Sequence, residues 1–354
     1  MPRANRKIKL LFITQKVDEK DPVLGFTIEW IRALARHASK VVVICLAKGR
    51  YDLPKNVEVY SLGKELGLRK TALVKNFLAN IVQLRDKYDK VLVHMTPIWV
   101  VVGAPVFKLL KKDVYLWYTH KAVTFDLVLA EKIVKKIFSA AKESINIKSS
   151  KIRILGQGIP TRHFLVPPAK RKAFTLVQVG RITPIKDQLT LVRALHLLKK
   201  KGFKITANIV GGPVMPGDEQ YMKRVLKEAE SKSVRKNIIL PGFVPYEKIA
   251  GVYGKSLINV NLCPTGGVDK AVLEGTLAGA LPLVCNRAFL PLLGKYKDVL
   301  TFKEKDPDSL ASKIIKLLDC SARQRETMVK YLRNRVIEKY DLDKFAKRLV
   351  DELA

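Results

Sequence analysis

The stretch Gly180-Arg181-Ile182-Thr183-Pro184-Ile185-Lys186-Asp187 follows an apolar run, FTLVQV, and offers chemistry that needs no metal. A glycine lets the chain turn off a strand, and Arg181 and Lys186 then place two permanent cations where a diphosphate would need them, although taken in isolation an arginine and a lysine there read as solvated surface. Further on, Pro264-Thr265-Gly266-Gly267-Val268-Asp269-Lys270 leads into a helix that carries Glu274. Two glycines ahead of a helix N-terminus let backbone N–H groups approach an anion, the helix dipole favours negative charge there, and Lys270 adds a point charge. The same residues admit a structural reading, in which Asp269 caps the helix and Gly266 and Gly267 turn the chain.

Weaker patterns surround these two. Gly211, in Ile209-Val210-Gly211-Gly212-Pro213, and Phe243 with Val244, in Pro241-Gly242-Phe243-Val244-Pro245, close strands where a flat base or ribose could lie against backbone. In the first half, Gly25 in Val23-Leu24-Gly25-Phe26 opens a helix after the first strand and is a second candidate phosphate loop. His120, in Tyr118-Thr119-His120-Lys121, ends another strand, where an imidazole could serve as acid, base or hydrogen-bond donor. A histidine bonded to backbone for structural reasons fits that pattern equally well.

Metal and nucleophile patterns are weak. Asp306-Pro307-Asp308 and Asp341-Leu342-Asp343 both spell D-x-D, yet each begins a helix and reads as a cap. There is no H-E-x-x-H, paired C-x-x-C, G-x-S-x-G or full Walker sequence, and no G-x-G-x-x-G after the first strand. No metal site and no cofactor are expected.

The elements that must position these residues alternate from end to end. IKLLFIT, VVVICL, VEVYSL, VLVHM and VYLWYT are separated by amphipathic stretches, as in a βαβ series, and their fully apolar character implies parallel strands covered on both faces. The segment GQGIPTRHFLVPPAKRKAF, with Pro160, Pro167 and Pro168, has no periodicity and reads as a linker. A second series follows, FTLVQVG, ITANIVG, NIILPGFV, SLINVNLCP and LPLVC, each strand leading into a helix, and three charged helical segments close the chain. The expectation is an α/β protein of two Rossmann-like domains, 1–165 and 166–338, with a last helix in 339–354.

Composition narrows the partners. With 66 Lys+Arg against 32 Asp+Glu the formal charge is +34, spread over both halves, so the partner should be negative. Nucleic acid is disfavoured, because no zinc-finger, RRM or KH pattern occurs; anionic lipid headgroups fit better, and a lysine-rich solvated surface fits as well. The apolar stretch from Ile98 to Leu110 is interrupted by Lys108 and is too short to span a bilayer. Cys45, Cys263, Cys285 and Cys320 are widely spaced, which points to a reducing compartment and hence a cytoplasmic, at most peripheral, location.

In combination and in order, VGRITPIKD, IVGGP, ILPGFVPYEKIAGVYGKS and CPTGGVDKAVLEGTLAGALPLV resemble family 4 of the GT-B retaining glycosyltransferases, the glycosyl transferases group 1. GQGIPTRHF is similar to the family's G-x-G-I-D-x-x-x-F, with Pro160 at the aspartate. The resemblance implies two Rossmann-like domains facing across a cleft, the C-terminal helix packing back on the first. It implies that Arg181 and Lys186 bind the donor diphosphate, that Glu274 accepts from the ribose, and that Gly266, Gly267, Val268, Asp269 and Lys270 line the sugar and phosphates. Gly211, Phe243 and Val244 would border the base, Gly25 would approach the diphosphate from the other domain, and His120 would lie on the acceptor side.

The implied activity is transfer of a hexose, from a UDP- or GDP-linked donor, with retention, to a glycan or lipid-linked envelope acceptor. One departure stands out: the first glutamate of the family's paired motif falls at Gly266. That keeps open a catalytically degenerate scaffold that binds polyanions or membranes, and, more remotely, a sugar-nucleotide epimerase.

Overall fold

The apolar run KLLFITQKV becomes β1 (Lys9–Val17), whose interior residues Leu10 to Ile13 are almost wholly shielded from solvent, as a strand covered on both faces must be. Around it form β2 (Lys40–Lys48), β3 (Val57–Ser61), β4 (Lys90–His94), β5 (Asp113–Trp117), β6 (Ile137–Ser139) and β7 (Ile152–Ile154). They make one parallel sheet in the order β3-β2-β1-β4-β5-β6-β7. This computed structural model describes residues 7–21, 23–166 and 175–354.

Helices cover both faces of that sheet. On one lie α2 (Lys70–Gln83), α3 (Ile98–Leu109) and α4 (Phe125–Ile133), sharing a core with Phe77, Trp99, Phe107 and Leu127. On the other lie α1 (Thr27–His37) and the last helix of the chain, Leu342–Leu353. That last helix buries Leu342, Phe345, Ala346, Leu349, Val350 and Leu353, a spacing that puts all six on one face. Phe345 meets Trp30 and Trp117 at ring-centroid distances of 4.9 and 5.2 Å, and Arg36 donates to Asp343 at 2.6 Å. The C-terminal helix therefore belongs to the first unit, Met1–Gly158 with Asp341–Ala354.

The second unit, Ile159–Tyr340, begins with the single turn α5 (Thr161–Phe164). Its sheet holds β8 (Thr175–Val179), β9 (Thr206–Val210), β10 (Ile238–Gly242), β11 (Ile258–Asn261) and β12 (Leu281–Val284), again parallel, in the order β10-β9-β8-β11-β12. The helices are α6 (Gln188–Lys200), α7 (Asp218–Ser231), α8 (Tyr246–Gly254), α9 (Lys270–Ala278), the short α10 (Leu290–Leu293) and α11 (Lys297–Leu300), then α12 (Pro307–Asp319) and α13 (Ala322–Tyr340); the terminal helix is α14. Both D-x-D sequences are caps: Asp306 accepts from the Ser309 amide, and Asp341 from those of Asp343 and Lys344.

The chain passes between units at Gly158 and Ile159 rather than at 165. The reason is aromatic: Phe164 is fully buried with Tyr246 and Tyr253 of the second unit, at 5.7 and 6.4 Å, and the Ile159 amide donates to the Tyr340 carbonyl. The linker residues Pro167 and Pro168 lie outside the described residues. Two elements had no legible pattern, α4, whose FDLVLA is apolar apart from Asp126 and shows no helical period, and the three-residue β6.

All three tryptophans, Trp30, Trp99 and Trp117, sit in the first unit, so their fluorescence reports on it alone. Phe345→Ala should empty the space between two of them and cost about 3–5 kcal/mol. Urea unfolding followed by tryptophan emission should show a lower midpoint; an unchanged midpoint would mean that α14 adds nothing to that core.

Candidate functional site

In the second sheet the strand order reverses between β8 and β11, and a crevice opens beyond the carboxyl ends of strands at such a reversal. Both segments singled out in the sequence leave the sheet there. Gly180 to Asp187 follows β8, and Gly266 to Asp269 lies between β11 and α9, which Lys270 opens. Amide side chains fix the first segment: Gln178 Nε2 donates to the Lys186 carbonyl at 2.7 Å, and Gln188 Nε2 to that of Arg181 at 3.1 Å. Asp187, held at φ 45, accepts from the Thr190 hydroxyl at 2.7 Å and caps α6.

The two segments are joined by charge. Lys186 Nζ donates to Asp269 Oδ2 in a short ion pair, and Asn261 Nδ2, at the end of β11, donates to the same oxygen at 3.1 Å. Asp269 Oδ1 accepts from the Ala271 amide at 3.2 Å. Asp269 is thus both the helix cap and the partner of Lys186. Burial works to lower the Lys186 pKa, but the charge and hydrogen bond of Asp269 outweigh it and hold the ammonium above its ordinary 10.5, while Arg181 pushes the other way. Burial likewise works to raise Asp269, and Lys186 prevails, keeping the carboxyl below its ordinary 3.8. Arg181 is half-buried and makes no ion pair among the described residues.

One turn into α9, Glu274 is 6% exposed. Tyr246 Oη and Tyr253 Oη, both from α8 and on one face of it, donate to its two oxygens at 3.5 and 3.4 Å. Burial pushes the Glu274 carboxyl up and the Lys270 ammonium down, while each charge favours the other. His163 of α5 stacks on Tyr246 at 5.4 Å with the rings 5° from parallel. Sequence reasoning missed Tyr246, Tyr253, His163 and Asn261; the two tyrosines at i and i+7 of a helix beside the glutamate segment were the available signal.

Beside the charged groups, three neighbouring strand ends carry no side chain. The Gly180 amide donates to Val210 and the Gly211 amide to Gly242, so Gly180, Gly211 and Gly242 stand side by side at the ends of β8, β9 and β10. Gly211 has φ 125, and a Cβ there would come within 2.1 Å of the Gly180 carbonyl oxygen, so no other residue fits. Phe243 is 43% exposed, with its ring edge against Gly212, while Val244 and Val268 pack on the core of the unit. Gly266 has φ 92 and accepts from Asn286 Nδ2 at 3.2 Å.

Gly25 and His120 belong to the first unit. The Gly25 loop follows β1, but its amides are engaged: those of Val23 and Leu24 donate to Asp21 Oδ1 at 2.9 and 2.7 Å, and that of Gly25 to the Asp21 carbonyl at 3.0 Å. A Cβ on Gly25 would lie 2.7 Å from that carbonyl. His120 is exposed beyond β5, and its Nδ1 accepts from the Ala122 amide at 3.0 Å. The sequence reading passed over His94, which ends β4 at this sheet's own reversal beside β1. It is buried, with Nδ1 3.2 Å from Thr14 Oγ1 and the rings of Phe12, Trp30 and Phe26 at 5.4–6.4 Å.

Comparison with known proteins agrees with this architecture. Residues 162–335 match the family described as glycosyl transferases group 1. A GDP-Man:Man(3)GlcNAc(2)-PP-Dol alpha-1,2-mannosyltransferase of Caenorhabditis elegans is 24% identical over 170 residues. That match spans 46% of this chain and 36% of the relative, about a third of its length. Anabaena Alr3699/HepE, crystallised with UDP and glucose, superposes with a TM-score of 0.76 over 98% of this chain and 99% of its own, at 16% identity. Sucrose-phosphate synthase of Thermosynechococcus elongatus gives 0.74 over 97% and 98%, at 13% identity. The chain is therefore built on the GT-B fold, and nearly all of its second unit matches the glycosyl transferases group 1.

The linked titrations fix a pH signature. Asp269, depressed on folding, stabilises above its unfolded value of 3.8 and loses that contribution as pH falls through its folded value; Lys186, raised on folding, loses its own only as pH climbs through its folded value, above 10.5. Asp269→Asn should cost about 2 kcal/mol at neutral pH, because the amide keeps the cap on α9 but loses the charged hydrogen bond to Lys186. The gap in Tm from the parent protein should narrow as pH drops below 3.8. No gap at any pH would assign Asp269 to capping alone, a role that asparagine fills equally well.

Proposed function

We propose that the protein is a retaining hexosyltransferase that takes its sugar from a nucleoside diphosphate donor held by the second unit. The observation that carries this is the union, at the β8–β11 reversal, of the Lys186 cation, the N-terminus of α9 and the buried carboxyl of Glu274. Arg181 and Lys186 meet the diphosphate and stabilise the departing nucleotide as negative charge builds on its oxygen. The glycines that end β8, β9 and β10 leave room for a base and ribose to lie on backbone, with Phe243 and Val244 at the border. Glu274 accepts from the ribose hydroxyls, and Gly266 to Lys270 follow the sugar and phosphates.

The acceptor hydroxyl attacks the face from which the diphosphate departs and passes its proton to the leaving oxygen, so no protein nucleophile is required. His120 and Gly25 serve from the first unit, which takes a glycan or lipid-linked acceptor. Two similar proteins support a nucleotide-linked donor: one is named for GDP-mannose, and the other was crystallised with UDP. The cations stand where a metal would otherwise neutralise the phosphates, so the reading is metal-independent, and it places the protein on the cytoplasmic side of a membrane.

Incubation with a panel of nucleotide sugars should reveal a Tm increase with the cognate nucleotide and release of that nucleotide, with no response to EDTA. Arg181→Ala and Lys186→Ala should each reduce kcat/KM by about a hundredfold. Both signals unaffected by either change would end the donor-site reading; no response to any nucleotide sugar would leave the degenerate scaffold that Gly266 allows. The anomer of the product, read by NMR, decides retention.

Glu274→Gln should separate function from stability. An amide can keep the tyrosine contacts without a charge that burial penalises, so Tm should hold within a few degrees while KM for the donor rises about tenfold. A fall in Tm with KM unchanged would make Glu274 structural.

A further inference from the structure

The helices α2, α3 and α4 cover the same face of the first sheet, since Leu73, Phe77, Trp99, Val100, Leu127 and Ala130 share one core. Each follows a parallel strand, so the segments leading into them line one rim, at the carboxyl ends of the strands. These lead-ins are Lys64 to Arg69, Thr96 to Ile98, and His120 to Phe125. All three raise large apolar side chains into solvent: Leu66 is 76% exposed, Leu68 40%, Ile98 45%, Val123 49% and Phe125 79%. Single exposed aliphatics are ordinary; five on the lead-ins of three helices that pack side by side are a cluster worth explaining.

Cations are interleaved with them. Lys64, Arg69, Lys70 and Lys121 are exposed, and none enters an ion pair among the described residues. The acidic residue among them, Glu65, already accepts from the Ser61 hydroxyl at 2.7 Å. Among the described residues no helix is long and apolar enough to cross a membrane. A protein carrying a net charge of +34 and raising leucine, isoleucine and phenylalanine tips between unpaired cations matches a surface that is anionic outside and hydrocarbon just beneath. Nucleic acid would use the cations and leave the aliphatic tips without a partner.

We propose that this rim docks on an anionic lipid bilayer, with Leu66, Ile98 and Phe125 entering the headgroup boundary and Lys64, Arg69, Lys70 and Lys121 on the headgroups. Each cation within reach of the surface strengthens binding by about fivefold. The inference concerns the first unit alone and does not depend on the donor site of the second.

The test is sedimentation of the full-length protein with vesicles of phosphatidylcholine alone and of equimolar phosphatidylcholine and phosphatidylglycerol. The wild type should bind the mixed vesicles and weaken as salt rises from about 0.05 to about 0.5 M. The double change Leu66→Ser with Phe125→Ser should reduce partitioning at least about tenfold, two buried side chains' worth of apolar transfer. Leu109→Ser is the control: Leu109 is 81% exposed but at the opposite end of α3, and its loss should change nothing. All three substituted side chains are exposed, so circular dichroism should match the parent, and the nucleotide-dependent thermal shift should persist in the rim variant.

Failure of the wild type to bind mixed vesicles would overturn the proposal. So would equal binding by the rim and control variants, which would reduce the effect to diffuse charge. Displacement from the vesicles by short duplex DNA, with the DNA bound equally well by the rim variant, would assign the cations to nucleic acid instead.

Discussion

Charge held away from water is the constraint around which the second unit is arranged. Lys186, Asp269, Lys270 and Glu274 are gathered beyond the ends of β8 and β11, where a group removed from solvent costs several kcal/mol unless it is paired and hydrogen-bonded. The surroundings supply those partners with little to spare. Asp269 Oδ2 takes both Lys186 and Asn261, its Oδ1 takes the Ala271 amide, and Glu274 takes two tyrosines. A carboxyl and an ammonium pushed in opposite directions by burial are not what a stable core needs, since apolar residues of the same size would serve stability as well. Their place at a sheet reversal supports the binding role proposed for them.

The glycine-ended strands are the complement of that cluster. In a doubly wound sheet each strand must hand over to a helix, and any side chain at the turn would fill the crevice that the reversal opens. Gly211 shows how tight the handover is: its Cα already touches the neighbouring turn, so the backbone of β9 and β8 meet with nothing between them. The result is a floor of peptide groups flanked on one side by charge and on the other by the exposed ring of Phe243. The donor proposed above would lay its flat base on that floor with its phosphates toward the charged side.

Much of this was legible in the sequence because it rests on local rules. Unbroken apolar runs gave parallel strands, and Gly180, Arg181 and Lys186 were found because they follow one; the two units and the returning last helix came from the second series and from resemblance. What escaped did so for physical reasons. Tyr246, Tyr253 and His163 reach Glu274 through tertiary packing, and their spacing alone also fits an ordinary amphipathic helix. The unit boundary was displaced because the burial of Phe164 depends on partners far along the chain. His94 was overlooked since a histidine inside an apolar strand reads as core, and in part it is. The rim of Leu66 and Phe125 could not be read at all, because exposure belongs to the folded surface and not to residue type.

Gly266 is where the sequence raised a doubt that geometry recasts. A glutamate at that position would need φ near 92, a conformation that costs an L-residue about 1 kcal/mol, although the space beyond its Cα is empty. The loop has therefore settled into a path that suits glycine, anchored by Asn286 on its carbonyl, and the next carboxylate along the chain is Asp269, three residues on. That carboxylate is committed to Lys186. An anion arriving at Lys186 gains only the difference between its own attraction and that of Asp269, so the lysine is held in place at the expense of affinity. Freed of Lys186, Asp269 would still be held by Asn261 and the Ala271 amide, with lone pairs to spare for a hydroxyl. The loop's one carboxylate, Asp269, and the Lys186 cation thus hold each other in place at the end of the sheet.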